Sequence, residues 1–148
     1  MRSRVAALAV GLSVVLSALP TQHALGGDND PCVKNFKVKG GFLTGKTYST
    51  WQEFPQIPRM TAFKRAYAYV IKDGWTITQA DKDLGVVSGS KAVGSSSETL
   101  NVLIEDLQKG CKVTLTHMIP PGAAAGKAEL QGLFCGLLEA VGKEDDKK

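Results

Sequence analysis

The stretch AFKRAYAYVIKDGWTITQADKDLGVVSGS, residues 62–90, holds a helix, its stop signal and a β-hairpin in unbroken order. Met60, Phe63, Ala66, Tyr67, Val70 and Ile71 recur at spacings of three, four and seven, which predicts an amphipathic helix opened by Pro58. Arg59, Lys64, Arg65 and Lys72 fill the remaining circumference. Gly74 ends the helix, because glycine takes the left-handed conformation of a helix terminus without steric cost. Trp75, Ile77 and Gln79 then alternate with Thr76, Thr78 and Ala80. An acidic turn at 81–85 leads into VVSGSKAV, the second arm of the hairpin.

Downstream, a polar loop at 94–98 precedes Leu100, Val102 and Ile104, a third strand. The turn EDLQKG brings the chain back into CKVTLTHM, residues 111–118. Here Cys111, Val113, Leu115 and His117 face one way and Lys112, Thr114 and Thr116 the other, the signature of a half-buried strand. A second helix runs from about residue 124–127 to Val141 on the stripe Leu130, Leu133, Phe134, Leu137, Leu138 and Val141, weakened by Gly132 and Gly136. Upstream, Phe36, Val38, Gly40 and Phe42 alternate as a first strand loosened by glycine. Residues 47–54 read as an irregular segment leading into the loop PQIP. The order β-α-β-β-β-β-α predicts an α+β fold, a two-layer sandwich whose antiparallel sheet is covered by two helices.

The chain's beginning speaks to compartment. Arg2 and Arg4 precede an apolar run at 5–19, broken by Pro20 and followed by the small residues Ala24, Gly26 and Gly27. This predicts a secretory signal peptide over 1–26; a run of about 15 residues falls short of the ~20 that span a bilayer. No cysteine follows the run, so no lipid anchor and no stable membrane attachment is expected after cleavage. Residues 27–148 then form one domain with a flexible N-terminal lead-in and a frayed charged tail, periplasmic or secreted. Losing Arg2 and Arg4 takes the formal charge from +4 to +2. The remaining lysines are interspersed with acids, without the concentrated patch that nucleic acid requires.

Cys32, Cys111 and Cys135 remain in an oxidising compartment, which implies one disulfide and one free thiol. Cys111 shares the inward parity of Val113 and Leu115, so the expected pair is Cys32 with Cys135. Their spacing excludes C-x-x-C redox or zinc chemistry.

Residues 40–47, GGFLTGKT, fit the phosphate-loop pattern G-x-x-x-x-G-K-[ST]. A working phosphate loop needs a helix immediately after it, whose free N–H groups hold the phosphate. Here TYSTWQEFPQIP follows, rich in strand formers and closed by Pro55 and Pro58. The match is coincidental, and Gly40, Gly41 and Gly45 are expected to serve a bulge or strand end. His117 is the single histidine if the leader carrying His23 is removed. Cys111 lies six residues from it on one strand, roughly 20 Å away, though Cys135 could approach from the last helix. Asp81, Asp83, Glu105 and Asp106 lack the regular ligand spacing of a calcium loop. No metal, cofactor or catalytic set is expected. Tyr48, Trp51, Phe54 and Tyr69 form the candidate partner surface, aromatics being favoured at interfaces.

Ala62, Ala66, Gly74, Trp75, Asp81, Asp83 and Gly85 within the opening stretch resemble a pattern of small bacterial envelope domains, among them the helix-grip domains of the outer-membrane assembly lipoprotein BamC and related exported families. The resemblance covers about half of the chain after the leader, and a lipobox cysteine and second domain copy are missing. It implies a helix-grip-like fold, an envelope location and a binding or scaffolding role. The leading expectation is therefore a non-enzymatic exported module that binds an envelope protein or itself. The alternatives are a carrier of small apolar ligands in a hollow lined by Phe63, Tyr67, Trp75 and Ile77, and a thiol or hydrolytic enzyme built on Cys111, Cys135 or His117.

Overall fold

Gly74 does end the first long helix: its φ is 83° and its N–H bonds to the carbonyl of Ile71 at 3.0 Å. In the computed structural model, which describes residues 27–143, the elements are α1 (Pro31–Lys34), β1 (Lys37–Gly41), β2 (Gly45–Phe54), α2 (Arg59–Lys72), β3 (Thr76–Asp81), β4 (Val86–Val93), β5 (Ser96–Asp106), β6 (Cys111–Ile119) and α3 (Lys127–Gly142). The expected signal peptide at 1–26 and the last five residues of the charged tail lie outside the described residues.

The six strands form one antiparallel sheet in the order β1-β2-β6-β5-β4-β3. After the β1–β2 hairpin, α2 carries the chain across to the far edge. From there β3 to β6 meander back until β6 closes on β2. Val87, Leu100, Val102, Ile104, Val113 and Leu115 point inward and are fully buried. Against them α3 lays Phe134, Leu137, Leu138 and Val141, and α2 lays Ala62, Ala66 and Val70. The sheet's other face is left to solvent. This is the expected two-layer α+β sandwich in a helix-grip arrangement.

Close approach depends on Gly89. A Cβ there would sit 3.1 Å from Trp75 Cβ and 3.2 Å from Val70 Cγ1. Arg65 Nη1 donates to the carbonyl of Val141 at 2.8 Å, giving an unpaired carbonyl at the end of α3 a partner from α2. Cys32 and Cys135 form the disulfide, Cα to Cα 5.5 Å, which ties α1 to α3; Cys111 is free and buried.

Several features differ from the sequence reading, beginning with α1, which stands where a flexible lead-in was expected. Residues 47–54 are not irregular but the body of β2, paired along its length with β6. On α2 the expected Ala66 and Val70 are buried together with Ala62; Phe63 and Tyr67 pack partly buried against the core, and Met60 and Ile71 are exposed. A bulge between Ile77 and Gln79 turns these two side chains to opposite faces. Strand β5 begins at Ser96, inside the expected loop at 94–98.

The phosphate-loop pattern is a hairpin. Gly40 and Gly45 have φ of 86° and 82°, flank the turn and pair Gly40 with Lys46 and Gly41 with Gly45. A strand, not a helix, follows Lys46, so no helix N-terminus faces the loop.

Candidate functional site

Strand alternation collects polar side chains on the inner face at one end of the sheet. Lys91 on β4 is opposite Glu98 on β5, and His117 on β6 is opposite Leu100, one inward position along from Glu98. His117 Nε2 lies 3.0 Å from Glu98 Oε2. The imidazole is 1% exposed, and Trp75 meets it edge-on with ring centroids 5.4 Å apart.

Above this floor is a cavity of about 470 Å³. The end of α2 and the residues after it contribute Tyr69, Asp73 and Trp75. The start of α3 and the loop before it contribute Ala124, Ala125, Gly126, Glu129, Leu130 and Leu133, with Val93 from the end of β4. The wall at Trp75 is tightly held: its indole Nε1 donates to Asp73 Oδ2 at 2.9 Å, and Lys91 Nζ stands 5.6 Å from the ring while donating to the Asp73 carbonyl at 3.1 Å. The lining is therefore divided between an apolar part (Trp75, Val93, Leu130, Leu133) and a polar part (Asp73, Lys91, Glu98, His117, Glu129).

Burial holds the His117 imidazole below its ordinary pKa of 6.5, against the opposing pull of Glu98 and, more weakly, Glu129. Geometry agrees with a neutral ring. His117 Nδ1 is buried without a hydrogen-bond partner, so an imidazolium would carry an unpaired buried N–H. The neutral tautomer with Nε2–H donating to Glu98 leaves Nδ1 only as an unprotonated acceptor. Tyr69 has its phenol pushed upward by burial, then by Asp73 and Glu139.

The sequence-derived candidates scatter. Tyr48 and Phe54 are 3% and 7% exposed, one with its ring tilted against Phe36 and the other against Gly142, and present no surface for a partner. Trp51 stands on the outer sheet face with Lys112 Nζ 4.9 Å from its ring, while Tyr69 lies between the helices on the opposite side. Of the hollow expected at Phe63, Tyr67, Trp75 and Ile77, only Trp75 lines the cavity, which lies between the end of α2 and the start of α3. Phe63 and Tyr67 stack on each other, centroids 6.3 Å apart. Glu98 was missed as a site residue. Its signal is parity, since it continues Leu100, Val102 and Ile104 two residues back.

No thiol enzyme can be assembled from these groups. Cys135 is consumed by the disulfide, and Cys111 is buried with its thiol raised by burial and then by Asp106. The acidic turns gather on Arg59, whose Nε is 2.9 Å from Asp106 Oδ2 and whose Nη1 donates to the Asp83 carbonyl at 2.9 Å. Asp81 Oδ1 caps the backbone N–H groups of Asp83 and Leu84. Among the described residues no group of three His, Cys, Asp or Glu side chains is placed to hold a metal ion.

No protein-family model matches the chain, and no curated protein matches it. Similar solved structures include CalU16 from Micromonospora echinospora, 7% identical with a TM-score of 0.46 over 73% of this chain and 98% of that one. Another is Ara h 8.0201, 12% identical with a TM-score of 0.42 over 64% of this chain and 96% of that one.

Proposed function

We propose that this protein is a non-catalytic binding protein that holds a small amphipathic molecule between the sheet and the start of α3. The observation that carries the reading is the cavity of about 470 Å³ with an apolar wall and a polar floor. That volume is within the range of roughly 300–1,000 Å³ usual for small-molecule sites. Asp73, Glu98 and Glu129 face one ammonium, Lys91, so the polar end suits a ligand rich in hydrogen-bond donors or carrying a positive charge. The apolar end suits a ring or short chain against Trp75 and Leu133. The reading also places the chain in the bacterial envelope, periplasmic or secreted, supported by the leader-like residues 1–26 and by the resemblance of residues 62–90 to BamC-type domains.

Native mass spectrometry of the protein isolated from its host tests this directly, with Nile red as a surrogate ligand. A bound mass and Nile red fluorescence are expected in the wild type. Both should be lost in Ala125→Trp and Leu133→Trp, which fill the cavity with indole. Unchanged dye fluorescence in both variants, each shown to be folded, would place binding elsewhere and sink the proposal.

A further inference from the structure

We infer that the β1–β2 hairpin is a docking element for an anionic lipid surface. At its tip Phe42 is 55% and Leu43 84% exposed, although both are large apolar side chains. The turn that presents them is pinned: Gly41 N–H donates to Thr44 Oγ1 at 3.0 Å and Thr44 N–H to the Gly41 carbonyl at 3.3 Å. Gly122 N–H also donates to the Phe42 carbonyl at 2.8 Å. The tip is thus a rigid apolar wedge that loses little conformational freedom when it inserts.

Charge chooses the surface. From Lys34 to Gln52 the chain carries Lys34, Lys37, Lys39 and Lys46 and no acidic residue. Strand parity puts Lys37 and Lys39 on the outer face of the hairpin and Lys46 on the inner face, so positive charge lies behind the tip on both sides. Glu53, Asp81, Asp83, Glu105 and Asp106 are at the opposite end of the sheet, and the acids at the hairpin's own end, Asp73, Glu98 and Glu129, line the cavity and not the hairpin. Two apolar side chains alone bind a bilayer weakly, and lysines beside an anionic surface supply the second attraction. Lysines on β1 also protect an exposed sheet edge from pairing. That role accounts for Lys37 and Lys39 but not for Phe42 and Leu43.

Among the described residues no helix is long and apolar enough to cross a membrane. Docking brings the cavity to the bilayer, because the loop joined to Phe42 continues into Ala124–Gly126 at the cavity wall, and Val93 lines the cavity at the same end. The inference does not rest on the cavity's being a ligand site. Its test uses vesicles alone and would stand with the cavity filled by tryptophan.

The test uses the chain as the cell processes it, with Leu43→Cys or Leu84→Cys labelled by an environment-sensitive fluorophore. Leu84 is also apolar and exposed, at 64% against 84% for Leu43, but lies at the acidic end. Vesicles of phosphatidylcholine with phosphatidylglycerol should blue-shift the label at 43 and leave the label at 84 unchanged; vesicles of phosphatidylcholine alone should do neither. In the Leu43→Cys background, Lys37→Gln and Lys39→Gln should each weaken partitioning roughly fivefold, and Phe42→Ser should reduce it further. No shift at 43, an equal shift at 84, indifference to the lysines, or shielding of 43 only by a protein would each overturn the assignment. Self-association of the lysine variants with unchanged lipid partitioning would instead assign those lysines to edge protection.

Discussion

His117 is kept neutral by a balance that acid should upset. In the folded protein its pKa lies below 6.5, while in the unfolded chain it returns to about 6.5. As pH falls below that value the unfolded state takes up the proton first, so stability from this group declines with acidification and is level above it. Between about pH 7.5 and pH 5.5 the wild type should therefore lose more thermal stability than His117→Gln. Parallel melting curves for the two would remove the argument. Glu98→Ala strips the Nε2–H of its partner in a buried site and should cost about 1–3 kcal/mol in urea unfolding, with Glu98→Gln restoring most of it. His117 was readable from the alternation of β6 because its neighbours on that face are apolar. Glu98 was not, since the polar run GSSSE conceals where β5 begins and an inward carboxylate is tolerable only opposite a donor that lies on another strand.

At the scale of elements, α2 and α3 meet where Tyr69 crosses Gly136. A Cβ on Gly136 would lie 2.6 Å from the Tyr69 hydroxyl oxygen, closer than any real contact. Alanine is worth up to about 1 kcal/mol over glycine in a helix, so two effects oppose each other. Gly136→Ala should destabilise the wild type, where the phenol must move, and stabilise Tyr69→Phe, where the clashing atom is gone. A double-mutant cycle by denaturant unfolding reads this sign change, and additivity would show that the helices do not touch there. The buried face of α2 is rotated slightly from the one its hydrophobic residues indicate. Hydrophobicity centres the α2 stripe on Phe63, Tyr67 and Ile71 as well as Ala66 and Val70, whereas burial is complete at Ala62, Ala66 and Val70. Strand β2 was obscured in a related way. One of its inward positions is Thr50, made tolerable by donation from its hydroxyl to the Cys32 carbonyl at 2.7 Å. That acceptor is 18 residues away, so nothing local marks Thr50 as buried.

For the whole molecule, the layers and the meander from β3 to β6 follow from local periodicity, but the closure of β6 on β2 does not, being a pairing of distant segments. The disulfide adds a second long-range link, tying α1 to α3 between residues 103 apart in sequence. Closing a loop of that size removes much of the unfolded chain's freedom, and loss of a native bridge in a small domain costs roughly 2–5 kcal/mol. Cys135→Ser should lower the unfolding free energy by about that amount. The loss should also be uneven. Helix α1 has four residues, Pro31–Lys34, too few to persist without tertiary support. Hydrogen exchange should then show protection lost before β1 while β5 and β6, held by the central ladder, retain theirs. Cys111 supplies an internal control: its thiol is buried at the start of β6, and burial and Asp106 both disfavour the thiolate that alkylation requires. In Cys135→Ser it should therefore react with a neutral thiol reagent only on global unfolding, even though Cys32 reacts at once. Rapid alkylation of both thiols in the folded variant would mean that the bridge holds the core of the sheet together and not merely the N-terminal segment against α3.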